Sequence, residues 1–315
     1  MEDKMRILIT GGAGYIGSVL VPMLMSNGHE VIVLDNFMYN QKSLLDCCIH
    51  QKLTIIRGDV RDKSLISDIF NKHATVNFVF PLACIVGAEA CDRDPVAART
   101  INLDAIKLLT GRAESKIIFP NTNSGYGIGK TGIHCTEESP LNPVSLYGQL
   151  KVAAEKMVLE NSSSIVLRLA TVFGISPRMR RDLLVNDFVY TALSQGYIEL
   201  SEKHFKRNYI HVRDVARAFI HCMVNFDRMK GQTYNLGLSD ANLSKLELCE
   251  EIKKQIPKLR IYENENRRDP DQRNYIVSNE KIEATGFKPQ ASLQEGIKEL
   301  IRAFPIISPR EFTNL

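Results

Sequence analysis

The sequence has no marked excess of charge of one sign and no long apolar stretch. Its 315 residues carry 40 basic and 36 acidic side chains, which leaves a net charge of +4. That charge is too small to indicate a nucleic acid or an anionic membrane surface as a partner. No signal peptide and no span of about 20 apolar residues is visible. The sequence therefore predicts a cytoplasmic protein that binds neither nucleic acid nor a membrane.

Cysteine and histidine are present but do not form metal-binding patterns. The seven cysteines are an odd number, are scattered and include no C-x-x-C pair, which favours free thiols over a disulfide framework. The seven histidines form no H-x-x-x-H pattern, so we expect no metal site. What remains is an ordinary globular chain, long enough for one large domain or two coupled ones.

Short apolar stretches alternate with stretches of helical spacing. The predicted strands are residues 5–10, 30–34, 53–57, 76–80, 116–119 and 164–169, and the helices between them include 19–27, 65–71 and 96–109. This alternation predicts an α/β fold, a Rossmann doubly wound parallel sheet with its ligands at the carboxyl ends of the strands. After residue 174 the pattern becomes irregular. We therefore expect a nucleotide-binding domain over residues 1–174, to which 208–240 return, and a smaller α/β substrate-binding region over 175–207 and 241–315.

A glycine-rich turn, Gly11-Gly-Ala-Gly-Tyr-Ile-Gly17, follows the first predicted strand. Gly11 permits a tight turn, Gly14 lets a pyrophosphate approach the backbone, and Gly17 lets the next helix pack on the strand. The N-terminus of that helix offers N–H groups and positive potential to phosphate. The strand, turn and helix together predict a dinucleotide site that includes Tyr15 and Ile16.

The ends of the next strands carry the remaining expected cofactor contacts. Asp35 ends the second strand, 18 residues after Gly17, where a carboxylate binds the adenosine ribose hydroxyls. It would repel a 2′-phosphate, and Asn36 rather than an arginine follows, so NAD is favoured over NADP. The other expected contacts are Asp59 and Val60 after the third strand, and Leu82 and Ala83 after the fourth.

Tyr147 and Lys151 are four residues apart in a stretch of helical spacing, which places them on one face. A tyrosine has a pKa near 10 and would need a decrease of about three units, worth about 4 kcal/mol, to act as a base near neutral pH. A close ammonium and the charge of an oxidised nicotinamide are of a suitable size for that. The phenolate could then take a hydroxyl proton while hydride leaves the same carbon. An isolated Y-x-x-x-K pattern is more typical of a surface helix.

With Thr122 upstream, these motifs stand in the order of a known family. Over nearly its whole length the sequence resembles the extended short-chain dehydrogenase/reductases, and within them the NAD-dependent nucleotide-sugar epimerases and dehydratases. The resemblance implies NAD, a nucleoside diphosphate sugar as substrate and a homo-oligomer. It implies that Tyr147 is the acid/base, that Lys151 binds the nicotinamide ribose and lowers the pKa of Tyr147, and that Thr122 hydrogen-bonds the sugar hydroxyl. It also implies Asn102 near the cofactor, and Ser124, Asn186, Arg207 and Arg268 at the substrate, the two arginines on its diphosphate.

The segment "FPNTNSGYG", residues 119–127, narrows the reaction. Dehydrating relatives resemble a T-D-E pattern, because elimination of water needs both an acid and a base. The corresponding residues here are Asn123 and Ser124, and neither titrates usefully. Relatives that epimerise at carbons 3 and 5 carry cysteine in place of Ser124, and decarboxylating relatives tend to carry glutamate there. The sequence therefore predicts hydride transfer at sugar C4.

Two outcomes of C4 oxidation remain. A 4-epimerase returns the hydride to the other face of the sugar, whereas a 4-dehydrogenase releases the keto sugar. Pro81 and Thr171 depart from common epimerases, and residues 176–186 resemble the GDP-manno-heptose 4-dehydrogenases of bacterial capsule synthesis. We therefore expect a 4-dehydrogenase, with a 4-epimerase as the alternative. A non-catalytic NAD-binding sensor or scaffold is less consistent with the presence of both Tyr147 and Lys151.

The expected homo-oligomer would form through the helices near residues 96–109 and 147–160, as in related proteins. Ile101, Ile106 and Met157 are apolar and suit such an interface. Packing in the chain's own core would explain the same three residues.

Overall fold

The structure is a computed structural model that describes residues 4–73, 75–111, 115–264 and 273–307. Its strands are β1 (Arg6–Thr10), β2 (Glu30–Asp35), β3 (Leu53–Arg57), β4 (Phe78–Pro81), β5 (Lys116–Thr122), β6 (His134–Cys135), β7 (Ser164–Leu169), β8 (Thr171–Phe173), β9 (Tyr197–Leu200), β10 (Lys206–His211), β11 (Gln232–Leu236), β12 (Asn242–Ser244), β13 (Arg260–Glu263) and β14 (Ile276–Val277). Seven of them form one parallel sheet in the order β11-β7-β5-β4-β1-β2-β3. This confirms the predicted Rossmann fold.

Helices join most neighbouring strands of the large sheet. They are α1 (Gly17–Ser26), α2 (Lys63–Lys72), α3 (Ala88–Arg93), α4 (Pro95–Arg99), α5 (Ala105–Thr110), α6 (Leu146–Leu159), α7 (Leu184–Gln195), α8 (Val212–Val224), α9 (Phe226–Met229), α10 (Lys245–Gln255), α11 (Glu280–Glu283) and α12 (Leu293–Ala303). Short 3₁₀ turns cover Leu45–Ile49, Asn123–Tyr126 and Phe304–Ile306, and a π-helical turn, Thr100–Asp104, joins α4 to α5. The predicted single helix over 96–109 is thus a broken one.

The core lies on both faces of the large sheet, because successive side chains of a strand point to opposite faces. In β1, Ile7 and Ile9 belong to the cluster that packs with α1 and α8, whereas Leu8 belongs to the cluster that packs with α5 and α6. Burial on both faces explains why these strands are continuous apolar stretches. Ile106 is also buried in the second cluster, so it does not supply the oligomer interface suggested for it. The oligomeric state stays a prediction.

The second half of the chain adds smaller sheets beside the large one. A three-stranded sheet has the order β12-β10-β8, and two pairs are formed by β13 with β9 and by β14 with β6. From β10 the chain runs through α8 and returns to the large sheet as its edge strand β11. The proposed division into two domains stays a prediction, although β10, expected to return with β11, lies in the small sheet.

Two absences concern only the part of the chain that the structure describes. No helix there is both long and apolar enough to cross a membrane. No three histidine, cysteine, aspartate or glutamate side chains there stand close enough together to hold a metal ion.

Candidate active site

The glycine turn after β1 is shaped by the absence of side chains. Gly11 has φ +69°, and a Cβ on it would lie 2.6 Å from the amide nitrogen of Ala83. A Cβ on Gly17 would lie 2.5 Å from the carbonyl oxygen of Gly12, and one on Gly14 would lie 3.0 Å from that of Gly11. No side chain caps the first turn of α1. Larger residues would therefore fill a cradle in which backbone N–H groups can meet phosphate.

Asp35, at the end of β2, is tied to this turn. Its carboxylate accepts hydrogen bonds from the N–H groups of Ala13 at 3.0 Å and Phe37 at 2.8 Å. Burial raises the pKa of Asp35, and the two backbone bonds oppose that rise. The side-chain oxygen of Asn36 accepts a hydrogen bond from the N–H of Met38, so the cofactor contact expected of Asn36 stays a prediction. A carboxylate at the carboxyl end of β2, beside the glycine cradle, fits the adenosine ribose of a dinucleotide.

The other expected cofactor residues lie along the same edge of the sheet. Asp59 accepts two-pronged hydrogen bonds from Arg61, which lower its pKa, and Val60 is buried beside it. The N–H of Leu82 donates to Thr10 at 2.9 Å, next to Ala83. Their cofactor contacts stay predictions.

Asn102 holds the loop that follows β4. Its side-chain oxygen accepts from the N–H of Ile85 and its nitrogen donates to the carbonyl of Ile85, both at 2.8 Å. It sits in the π-helical turn, a kind of irregularity that often marks functional sites. Asn102 thus fixes the backbone of this loop, a contact that the sequence did not indicate, and its place near the cofactor stays a prediction.

Tyr147 and Lys151 occupy one face of α6, as predicted, and both are buried. The ammonium of Lys151 donates to the carbonyl of Pro120 on β5 at 2.6 Å and lies 4.0 Å from the centroid of the Phe119 ring. Burial lowers the pKa of Lys151. Helix α6 therefore holds Lys151 against the carboxyl end of β5, with Tyr147 one turn earlier on the same helix.

The pKa of Tyr147 is raised, by burial first and then by the nearby thiol of Cys84, while Arg273 and Arg180 lower it. These two arginines come from parts of the chain far from Tyr147 in sequence, and sequence reasoning missed both. Only a fold that brings residues 147, 180 and 273 together could have revealed them. The expected effect of Lys151 on this pKa stays a prediction.

Thr122, Ser124 and Arg273 form a hydrogen-bonded chain at the start of the 3₁₀ turn after β5. The hydroxyl oxygens of Thr122 and Ser124 are 2.9 Å apart, and the N–H of Ser124 donates to the Thr122 hydroxyl at 3.1 Å. Nη1 of Arg273 donates to the Ser124 hydroxyl. Asn123, between Thr122 and Ser124 in the sequence, is buried, and neither atom of its amide is hydrogen-bonded to any described residue.

A buried ion pair joins helix α6 to strand β7. Glu155, one turn after Lys151 on α6, accepts a two-pronged hydrogen bond from Arg168 on β7 and a further one from the Asn121 amide on β5. Arg168 also donates to the phenol of Tyr126 at 2.9 Å. This network joins α6, β5 and the 3₁₀ turn into one rigid unit, and the sequence did not reveal it.

The segment after β8 is bonded to the start of α1. The phenol of Tyr15 donates to the carbonyl of Gly174 at 2.7 Å, and the hydroxyls of Ser18 and Ser176 are 2.8 Å apart. Asn186 accepts from the N–H of Gly174 at 3.0 Å and donates to the carbonyl of Arg180 at 2.8 Å. We call these contacts the loop clamp. Asn186 is thus engaged within the protein, and its substrate contact stays a prediction.

Of the two arginines expected at the diphosphate, the structure describes only Arg207. Arg207 is buried on β10, in the three-stranded sheet, and its contact with a diphosphate stays a prediction. Arg268 lies outside the described residues. Two further arginines follow the clamp residue Ser176. The guanidinium of Arg178 lies 4.7 Å from the centroid of the Tyr39 ring, and Arg180 forms an ion pair with Asp182.

The fold and the site define a Rossmann-type oxidoreductase with a tyrosine and lysine pair at its centre. The sequence profile of the NAD dependent epimerase/dehydratase family matches residues 7–237. The chain belongs to this family, and NAD is its cofactor, which the glycine cradle and Asp35 fit.

Named relatives carry several activities. The chain is 31% identical to UDP-glucuronic acid decarboxylase 3 of Arabidopsis thaliana, over 94% of this chain and 88% of that protein. It is 29% identical to a UDP-glucose 4-epimerase of Halalkalibacterium halodurans, over 91% of each. The crystal structure of UDP-glucose 4-epimerase from Thermotoga maritima with UDP-glucose superposes with a TM-score of 0.85 at 25% identity, covering 96% of this chain and 99% of that one. The narrower resemblance to GDP-manno-heptose 4-dehydrogenases and capsule synthesis finds no support in these comparisons.

Proposed function

We propose that this protein is a nucleotide-sugar 4-epimerase, which moves a hydride between NAD and C4 of a nucleoside diphosphate sugar. The observation that carries the proposal is the set of groups at the carboxyl end of β5. Lys151 donates to the Pro120 carbonyl on the strand that ends at Thr122, and Tyr147 lies one turn before Lys151 on α6. Asn123 and Ser124 offer no acid or base for elimination. Redox at C4 is the chemistry that this set supports.

The roles of the side chains follow from their chemistry. Tyr147 takes the proton of the C4 hydroxyl as hydride leaves C4, and it returns the proton when hydride comes back. Bound NAD supplies the hydride acceptor. Lys151, held by the Pro120 carbonyl and the Phe119 ring, places a positive charge beside the site. Burial keeps Tyr147 protonated in the free protein, so the charge of the oxidised cofactor contributes to its activation.

Return of the hydride is favoured over release of the keto sugar by the 4-epimerases among the relatives. Decarboxylation is disfavoured, because Ser124 stands where decarboxylating relatives tend to carry glutamate.

The test is to incubate purified protein with UDP-, GDP-, CDP- and dTDP-hexoses and to analyse the products by mass spectrometry and NMR. A C4 stereoisomer of unchanged mass is the expected product, with UDP-hexoses tried first because the relatives are named for UDP-sugars. A product lighter by two hydrogens would make the protein a 4-dehydrogenase. Loss of water or of carbon dioxide would overturn hydride transfer as the net chemistry.

A further inference from the structure

We propose that Ser124 and Arg273 are positioning residues that fix the hydroxyl of Thr122 as a hydrogen-bond donor to the oxygen on the reacting carbon. They would act on Thr122 and not on the sugar. This inference rests on the proposed function, since the oxygen in question is that of C4.

The hydroxyl groups of Thr122 and Ser124 are joined by one hydrogen bond. The two hydroxyl oxygens are 2.9 Å apart, so one proton lies between them and comes from either Thr122 or Ser124. Thr122 already accepts the N–H of Ser124 at 3.1 Å. The Ser124 oxygen already accepts a hydrogen bond from Arg273. Each oxygen can still accept one more hydrogen bond.

Burial decides which hydroxyl donates. Ser124 is 1% exposed and its only hydroxyl neighbour among the described residues is Thr122. If Thr122 donated, the Ser124 proton would be buried without an acceptor, which is the more costly arrangement. Thr122 is only half-buried, at the edge where parallel strands bind ligands. Ser124 therefore donates to Thr122, and the Thr122 proton is left for a ligand.

This direction has a consequence for the reaction. A Thr122 hydroxyl that donates to O4 is not placed to accept the proton of the C4 hydroxyl, so that proton passes directly to the Tyr147 phenolate oxygen as hydride leaves C4. When the hydride returns, the carbonyl oxygen accepts hydrogen bonds from both Thr122 and Tyr147, which stabilises the negative charge that develops on it. Glutamate at position 124 would pair with Arg273 and accept from Thr122, which would reverse its role.

The experiment compares variants in steady-state assays over a range of pH, with reduced-nicotinamide absorbance in single turnovers. Ser124→Ala should lower kcat about tenfold, which corresponds to the free energy of one hydrogen bond. KM should stay within twofold, and the midpoint of the dependence of kcat on pH should not change. Ser124→Thr, which keeps the hydroxyl, should restore most of kcat. Arg273→Gln should lower kcat and also move the midpoint to higher pH, because Arg273 lowers the pKa of Tyr147. The double variant should be no slower than the slower single variant, since both act through one chain.

Ser115→Ala is the matched control. Ser115 is also a buried serine with one side-chain bond, to Val76 at 3.1 Å, but it precedes the other end of β5. The kcat of Ser115→Ala should equal that of the wild type. If Ser124→Ala destabilises the fold, Ser124→Cys keeps the volume with a weak donor and should be intermediate in kcat.

Three results would overturn the inference. A normal kcat in folded Ser124→Ala would show that Thr122 needs no orientation. A raised KM at unchanged kcat would place Ser124 on the sugar itself. Failure of Ser124→Thr to recover activity would make the effect one of volume. Failure of the proposed function is recognised separately, since then the wild type would not epimerise or Tyr147→Phe would remain active.

Discussion

The nucleotide end and the chemical end of the candidate active site are built in opposite ways. At the nucleotide end, the glycines of residues 11–17 leave space beside the backbone because they have no side chains, and Asp35 lies close in sequence. At the chemical end, Thr122, Tyr147 and Arg273 come from three separate parts of the chain. The first end depends on local geometry, whereas the second depends on buried side chains held by tertiary contacts.

The ends also differ in electrostatics. Asp35 is bonded to backbone N–H groups. At the chemical end, helix α6 carries buried Lys151 and, one turn later, buried Glu155, which pairs with Arg168 on β7. Buried charges are tolerated only when each is paired or hydrogen-bonded. Disturbance of the chemical end should therefore be felt in stability as well as in rate.

The largest effect is expected from Tyr147→Phe, which removes the acid/base and leaves the nucleotide end intact. The rate of C4 stereoisomer formation should fall about 10²- to 10⁴-fold. NAD affinity, measured by calorimetry, should stay within a few-fold. Retention of activity would place the acid/base elsewhere, and loss of NAD binding would show that the two ends are not independent.

Glu155→Gln should give the largest loss of stability, because it leaves Arg168 charged and uncompensated in the interior. The free energy of unfolding, from urea titration, should fall by about 3–5 kcal/mol. Glu89→Gln in the exposed Glu89–Arg93 pair is the control and should cost less than about 1 kcal/mol. Equal losses from the two variants would remove the electrostatic contrast between the ends.

Gly17→Ala tests the nucleotide end. Its Cβ would lie 2.5 Å from the Gly12 carbonyl oxygen, which would distort the turn and weaken NAD binding about 10- to 100-fold. The control is Gly111→Ala, whose Cβ would lie 3.4 Å from the Lys107 oxygen, and it should bind NAD normally. With saturating NAD, kcat of Gly17→Ala should recover, because the chemical end is unchanged. A kcat that stays low would show coupling between the ends.

The pH dependence of kcat should report Tyr147. Because burial raises its pKa and Arg180 lowers it, the active phenolate forms as pH rises, and kcat should increase with pH. Arg180→Gln removes the lowering charge, so the midpoint should move upward by about one unit. Arg260→Gln, on exposed β13, should leave it in place. A downward shift with Arg180→Gln would contradict this assignment of charges.

The smallest effect is expected from Asn123→Ala. Its amide is buried without a hydrogen-bond partner among the described residues, so its removal should raise the free energy of unfolding by about 1 kcal/mol. Asn161→Ala, which loses the bond to the N–H of Ser163 at 2.9 Å, should have the opposite sign. Thermal unfolding without ligand measures both. A less stable Asn123→Ala would show that the amide is satisfied, for example by water.

Much of the fold could be read from local pattern. The strands over 53–57 and 164–169 have the predicted bounds. Strand 164–169 is buried along its whole length, as is typical of a continuous apolar strand inside a parallel sheet. Strand β5 extends to Thr122, three residues beyond the predicted end, since Pro120 and Asn121 are extended through pairing with β7. Polar residues and proline do not indicate a strand without knowledge of the neighbouring strand.

The candidate site was only partly readable. Tyr147 with Lys151 and the glycine turn have spacings that carry their own physical reason, namely a shared helix face and a turn at a helix N-terminus. Arg180, Arg273 and the Glu155–Arg168 pair have no such spacing. Their importance arises from interactions between residues that are 13 or more positions apart in the sequence, which no local pattern encodes.

The sequence by itself determined the parallel sheet, the NAD cradle and the tyrosine–lysine pair, because each depends on the period of a helix or strand or on the missing side chain of a glycine. Tertiary structure alone decided how the chemical groups are charged and oriented. It brought two arginines from other segments close enough to lower the pKa of Tyr147. It also formed the hydrogen bonds of Arg273 with Ser124 and of Ser124 with Thr122. Burial and hydrogen-bond direction depend on what surrounds a residue, and the chain supplies those surroundings only when folded.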